Sequence, residues 1–177
     1  MPTSQKTKTQ TEQVSQSEIV KTLVQVLAKA KKFVAPALLM VEFPTDYRRR
    51  KTTEELEIAL KAEADEVIDI DLRNPVNLLQ TLEELKPNQV GSVHGLHAQP
   101  EVVRRLNWGR ERLTDNNKRV VFWLNFEELK DLAERAPDFW AFRHRVIEFI
   151  DSPKPELIFQ NVTEAAWQGT GEYSEPE

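Results

Sequence analysis

In the stretch ALLMVEFPTDYRRRKTTEELEIAL, residues 37–60, an apolar run passes through a Pro-Thr-Asp turn and the cations Arg48, Arg49, Arg50 and Lys51. It then reaches Thr52 and a helical pattern. Strand, loop, Lys-Thr and helix in that order is the layout of a phosphate loop of the form GxxxxGK[ST]. In such a loop glycines let backbone N–H groups turn toward the phosphates, the lysine neutralises charge and the Ser/Thr holds magnesium. Here the two glycine positions fall on Thr45 and Arg50. Side chains there occupy the space that phosphates need, and they make positive φ costly. Lys51 and Thr52 are therefore the residues that would hold a nucleotide, in a loop without a cradle. Read without a ligand, Arg48 to Lys51 form a solvated loop, and Thr52 or Thr53 caps a helix from about Thr53.

Nucleotide hydrolysis also needs a carboxylate after a later apolar strand, to hold magnesium and order water. The third strand ends instead in His94-Gly95-Leu96-His97. Asp69 and Asp71 alternate with apolar residues in VIDIDL, which points them to solvent from an edge strand. Together with His94 and His97 they have the ligand chemistry for zinc or manganese. An HxxH on a glycine-containing turn ordinarily leaves both histidines exposed, and no metal is assigned. Glu84-x-Lys86 and Glu128-x-Lys130 have a nuclease-like spacing, but they fall in helical patterns where that chemistry needs a strand. No Ser or Thr stands on a glycine-flanked elbow, so no catalytic residue is assigned.

These residues are carried by an alternation of elements. Ile19, Val20, Leu23, Val24 and Leu27 recur at helical spacing after Ser17; ALLMVEF (37–43) is a continuously apolar strand of the kind buried on both faces. A helix, the strand 67–72 and a helix opened by Pro75 follow, then a weaker strand at 89–96 and a helix at 100–113. RVVFWL (119–124) is a strand in which Trp123 packs under a helix. Helices are expected at 126–135 and 138–150, and ELIF (156–159) offers a last strand. Strands alternating with helices give an α/β fold: a mostly parallel sheet of about five strands, helices on both faces, strand order 5-1-4-3-2. Function in such sheets gathers at the carboxyl ends of the strands.

The 177 residues, 40% hydrophobic and 30% charged, fit one α/β domain over 17–160. Residues 1–16 are polar with little to bury, and 161–177 are acidic with Trp167 as a lone anchor. Both are read as disordered tails. A formal charge of −5 provides no global attraction to nucleic acid or to an anionic membrane. With no cysteine, disulfides, thiolate metal sites and cysteine nucleophiles are excluded. With no apolar leader at the N-terminus and no membrane-length apolar run, the expected location is cytoplasmic.

The order of parts, together with LNWGRERL (Asn107, Trp108, Arg110, Arg112, Leu113) and RVVFWLNFEELKDLAERAPDFWAFRHRVIEF, resembles the AAA- or STAND-like P-loop NTPase modules at the head of bacterial, often cyanobacterial, TPR-containing signalling and defence proteins. The resemblance covers about residues 17–150. It implies an NTPase fold, a sensor-like Asn125 and a phosphate-sensing Arg143 beside Lys51 and Thr52 if nucleotide binds. The departures imply that the fold is kept as a non-catalytic regulatory or scaffold module, without a cofactor, that binds a partner protein. Arg48, Arg49, Arg50, Trp108, Arg110 and Trp140 are the partner-binding candidates. The alternatives are an active or nucleotide-sensing NTPase and a nucleic-acid-binding protein. The last would use Arg104, Arg105, Arg110, Arg112, Lys118 and Arg119 around Trp108.

Overall fold

The computed structural model describes residues 12–14 and 16–149. Six strands form one parallel sheet: β1 (Glu12–Val14), β2 (Ala37–Glu42), β3 (Glu66–Asp71), β4 (Gln89–His94), β5 (Arg119–Leu124) and β6 (Arg145–Phe149), in the order β1-β6-β2-β5-β4-β3. Counting from β2, the five main strands stand in the order 5-1-4-3-2, as the sequence suggests. The helices are α1 (Gln16–Lys32), α2 (Asp46–Ala62), α3 (Leu78–Glu83), α4 (Pro100–Asp115), α5 (Phe126–Arg135) and α6 (Pro137–Ala141), with a 3-10 turn at Leu96–Ala98.

The central strands divide their side chains between two cores. Leu38, Met40, Val120, Phe122 and Leu124 face the layer of α3 to α6. Leu39, Val41, Val121 and Trp123 face α1 and α2. Side chains alternate across a strand, so a strand covered on both sides must be apolar at every position, which is why 37–41 and 120–124 read as unbroken runs. Trp123 is fully buried, and its indole N–H donates to Ser92 Oγ at 2.9 Å. At the edge, β3 keeps Asp69 exposed, as its alternation predicts.

Three expectations change. First, α2 begins at Asp46, so Arg48 to Thr52 are helix rather than loop. Thr45 caps it, its hydroxyl accepting the Arg48 N–H, and Arg, Lys and Glu are good helix formers that need no loop. Second, the helix expected over 138–150 stops at Ala141, and 145–149 is β6. Val146, Ile147 and Phe149 are buried, split between the two cores, and their β-branched and aromatic side chains suit a strand buried on both faces. The supposed last strand, 156–159, lies outside the described residues. Third, residues 12–14, within the stretch read as a polar tail, pair with Ile147 to Phe149. That pairing is through backbone and needs no apolar side chain. Gln16, the last residue of that stretch, opens α1, and the remainder of both tail assignments lies outside the described residues.

The amino end of the sheet is tied by charge. Arg119 forks onto Asp65 at 2.7 and 3.0 Å and donates to the Leu27 and Pro87 carbonyls, and Lys31 reaches Asp65 at 2.9 Å. Burial pushes the Asp65 carboxyl upward, and the bonds from Arg119 and Lys31 outweigh it, leaving the carboxyl below its ordinary range. Nearby, β6 is fastened to β2 by His144, whose N–H donates to the Leu38 carbonyl and whose Nδ1 accepts the Leu38 N–H, both at 2.9 Å. His144 is exposed overall, and local desolvation of its imidazole against β2 holds it below its ordinary pKa. No helix among the described residues is long and apolar enough to cross a membrane.

Asp65→Ala leaves the Arg119 guanidinium buried without its carboxylate and should cost about 3–5 kcal/mol in urea unfolding. His144 provides a pH test. Because its folded pKa is depressed, the unfolded chain takes up the proton first, so stability is complete above the ordinary histidine value of about 6.5 and falls as pH drops below it. The urea midpoint should decline over that interval in the wild type, and by less in His144→Gln.

Candidate functional site

The carboxyl ends of β2, β3, β4 and β5 form the crevice in which α/β sheets hold ligands. Its geometry here is set by a short connection. β2 ends at Glu42 and α2 starts at Asp46, so only Phe43, Pro44 and Thr45 lie between them. Thr45 is extended (φ −143°, ψ 149°) and serves as the N-cap. Asp46 then takes the Arg49 Nε at 2.9 Å and the Arg50 Nε at 3.0 Å. The hydrogen bond from Arg49 is the largest reason that the Asp46 carboxyl lies below its ordinary range.

Lys51 and Thr52 thus sit in the second turn of a helix. The Thr52 hydroxyl is buried and donates to the Arg48 carbonyl at 2.7 Å; Lys51 is exposed, its ammonium 6.0 Å from the centre of the Tyr47 ring. Arg143 precedes β6, at the amino end of the sheet, and stacks over the half-buried Trp140 at 4.2 Å. Trp140 packs against the core on the α3 to α6 side, whereas α2 covers the other face. The structure therefore places Lys51 and Thr52 together, with Arg143 at the opposite end and on the opposite side.

The two histidines part company. His94 is buried, contrary to the exposure its turn suggested, with Nε2 3.1 Å from Asp69 Oδ1 and Nδ1 3.8 Å from Asp71 Oδ1. The β3–β4 register sets this, pairing Asp71 with His94 and Asp69 with Ser92. Arg73 forks onto Asp71, and these bonds are the main reason the Asp71 carboxyl is lowered to about 2. Gly95 then turns the chain at φ +80°, in the left-handed region, and sends His97 away to Glu128. Glu128 Oε1 accepts both the His97 N–H (2.9 Å) and Nδ1 (2.7 Å). Among the described residues no group of three or more His, Cys, Asp or Glu is placed to hold a metal.

Asn125, which the resemblance marks as sensor-like, is the N-cap of α5. Its side chain accepts the Glu128 N–H, and Glu128 Oε2 accepts the Asn125 N–H, both at 2.8 Å. The Asn-x-x-Glu spacing of this reciprocal cap is visible in the sequence. The crevice among Phe43, Asp46, Arg49, Arg73, His94 and Asn125 encloses about 50 Å³, whereas small-molecule sites run to several hundred. Each cation that lines it already has a carboxylate. Beside it, a groove of about 360 Å³ runs from Leu96, His97 and Pro100 to Asp131 and Arg135 on α5.

The partner-binding candidates separate equally clearly. Arg49 is buried on Asp46, Arg50 is paired with the same carboxylate, and Arg48 lies half-buried in the first turn of α2. Arg110 packs over the Phe142 ring at 5.6 Å and donates to the Asn107 carbonyl. Trp108, by contrast, is 84% exposed on α4, flanked one turn earlier by the exposed Arg104 and Arg105. Its neighbour Asn107 is structural, its side-chain oxygen accepting the Asp138 and Phe139 N–H groups at the start of α6. Trp108 is a partner-binding candidate from the sequence, where the helical spacing of Val102, Leu106 and Leu113 already marks the inward face. The structure sets Trp108 opposite these three.

No family model matches the chain, and no curated protein matches it. Among solved structures, Drosophila ORC bound to poly(dA/dT) DNA and Cdc6 aligns over 85% of this chain with a TM-score of 0.53 and 10% identity. This chain spans 31% of the length of that one. A second structure, APE1195, aligns over 81% of both chains at 13% identity and a TM-score of 0.35, too low to bear on the fold. The likeness to ORC, at that identity, bears on the fold alone: a parallel α/β sheet with helices on both faces.

The crevice generates one structural test. Glu128→Ala strips acceptors from the His97 and Asn125 N–H groups and from the His97 ring. It should cost about 2 kcal/mol in urea unfolding and increase hydrogen exchange at the start of α5.

Proposed function

We propose that this chain is a non-catalytic regulatory or scaffold module, with an NTPase-like fold, that works in the cytoplasm by docking a partner protein. The observation that carries the reading is the Phe43-Pro44-Thr45 connection. It is too short to wrap a triphosphate, and it leaves about 50 Å³ where a nucleotide would lie. Phosphate loops work by presenting several inward backbone N–H groups, and here those of the first helical turn are capped by Thr45 or lie beside the Asp46 carboxylate. Trp108 with Arg104 and Arg105 supports the docking role, since tryptophan and arginine dominate the energetics of protein interfaces.

The second reading, a nucleotide-sensing or active NTPase using Lys51 and Thr52, is favoured by the likeness to ORC. Nucleic acid is less well supported. Arg119 is committed to Asp65, Lys118 to the Leu85 carbonyl and Arg110 to Asn107, so the basic stretch does not form a continuous track.

With ATP or GTP and magnesium, the expected outcome is no thermal shift and no phosphate release. A shift that Lys51→Ala abolishes would instead establish the nucleotide reading. Proteins recovered from the native host on wild-type chain should bind Trp108→Ala about tenfold or more weakly, an exposed tryptophan anchor being worth about 2 kcal/mol.

A further inference from the structure

The amino end of the sheet, far from the crevice, carries a groove of about 340 Å³ between the end of α1, the α3–β4 turn and the α4–β5 turn. Its wall is apolar: Ala30, Val34, Ala35, Leu85 and Pro87. Its rim is cationic: Lys31, Lys86 and Lys118. No carboxylate lines it. Asp65 is buried beneath and already held by Arg119 and Lys31, while the Lys86 ammonium has no carboxylate partner among the described residues. Phe33 and Val34, beside and within it, are 63% and 72% exposed.

Backbone strain sits at the same place. α1, α2 and α4 all end at this face in the same way, with an N–H bonding back five residues (Ala35 to Ala30, Asp65 to Leu60, Lys118 to Leu113). The residue before each is left-handed: Val34 at φ 51°, Ala64 at 59° and Asn117 at 53°. Glycine normally fills that position, and asparagine tolerates it. A β-branched valine is the most strained choice available. The helix ending sets the left-handed φ of Val34, and what it leaves unexplained is a β-branched residue at that exposed position, an outlier that points to function.

We propose that this groove binds an acidic segment of a partner protein, its leucine-type side chain against Val34 and Leu85 and a carboxylate against the Lys86 ammonium, with Lys31 and Lys118, already bonded to Asp65 and the Leu85 carbonyl, adding positive charge at the rim. Charge complementarity selects the occupant, because every formal charge on the rim is positive and the wall suits an aliphatic side chain. A nucleic-acid strand fits less well, since no aromatic ring lines the groove for a base to stack on. The site is independent of the Trp108 face, so either can fail without the other.

The test uses the full chain and a labelled peptide of glutamates around a central pair of leucines, with a lysine-for-glutamate version and an oligothymidine strand as comparators. Val34→Gly is the decisive variant: it relieves the left-handed strain and so raises the melting temperature, yet it removes the wall and should weaken the peptide about tenfold. Lys86→Glu should weaken it similarly, and Trp108→Ala should leave it unchanged. The proposal is overturned if the glutamate peptide does not bind, if Val34→Gly binds it as well as wild type, or if the lysine peptide or oligothymidine binds equally.

Discussion

Burial of β2 and β5 on both faces is the constraint from which the rest of this molecule follows. Their paired residues from Leu38 with Val120 to Val41 with Trp123 alternate between two apolar cores, so neither strand can be exposed without losing one of them. That forces helices onto both sides of the sheet. It also sets the direction in which every loop emerges: polar residues that follow a strand gather at one end, and helix C-termini gather at the other.

At the carboxyl end this constraint meets a second one, the length of the β2–α2 connection. Three residues close it, and the helix starts before the Lys-Thr pair instead of at it. The stretch from Asp46 is a capped helix start, and the nearby polar groups bond among themselves: Arg49 with Asp46, Arg73 with Asp71, His94 with Asp69, His97 with Glu128. Such paired groups stabilise and position the loops. They leave little unsatisfied polarity within the crevice itself.

Much of the fold was legible because its signals are local or periodic. Apolar runs at 37–43 and 119–124, helical spacing from Ile19 to Leu27, and the alternation in VIDIDL each specify one element and its degree of burial. Residues 138–150 misled because Phe139, Phe142, Val146 and Ile147 fit helical spacing over a short window. Their β-branched content proved the better guide. The start of α2 is hidden for a related reason: the Lys-Thr order suggests a loop as far as Lys51, whereas the three-residue turn lets the helix begin at Asp46.

The sequence by itself determined the α/β class, the parallel order, the acidic edge strand and the absence of a glycine cradle, since each depends on side-chain type along a short stretch. Tertiary structure alone decided that His94 and His97 face different carboxylates, that Arg143 is remote from Lys51, that Arg119 is buried, and that Val34 borders a groove. These depend on which residues meet across the sheet. A one-residue change of register or of loop length would alter those meetings while leaving composition and periodicity nearly the same.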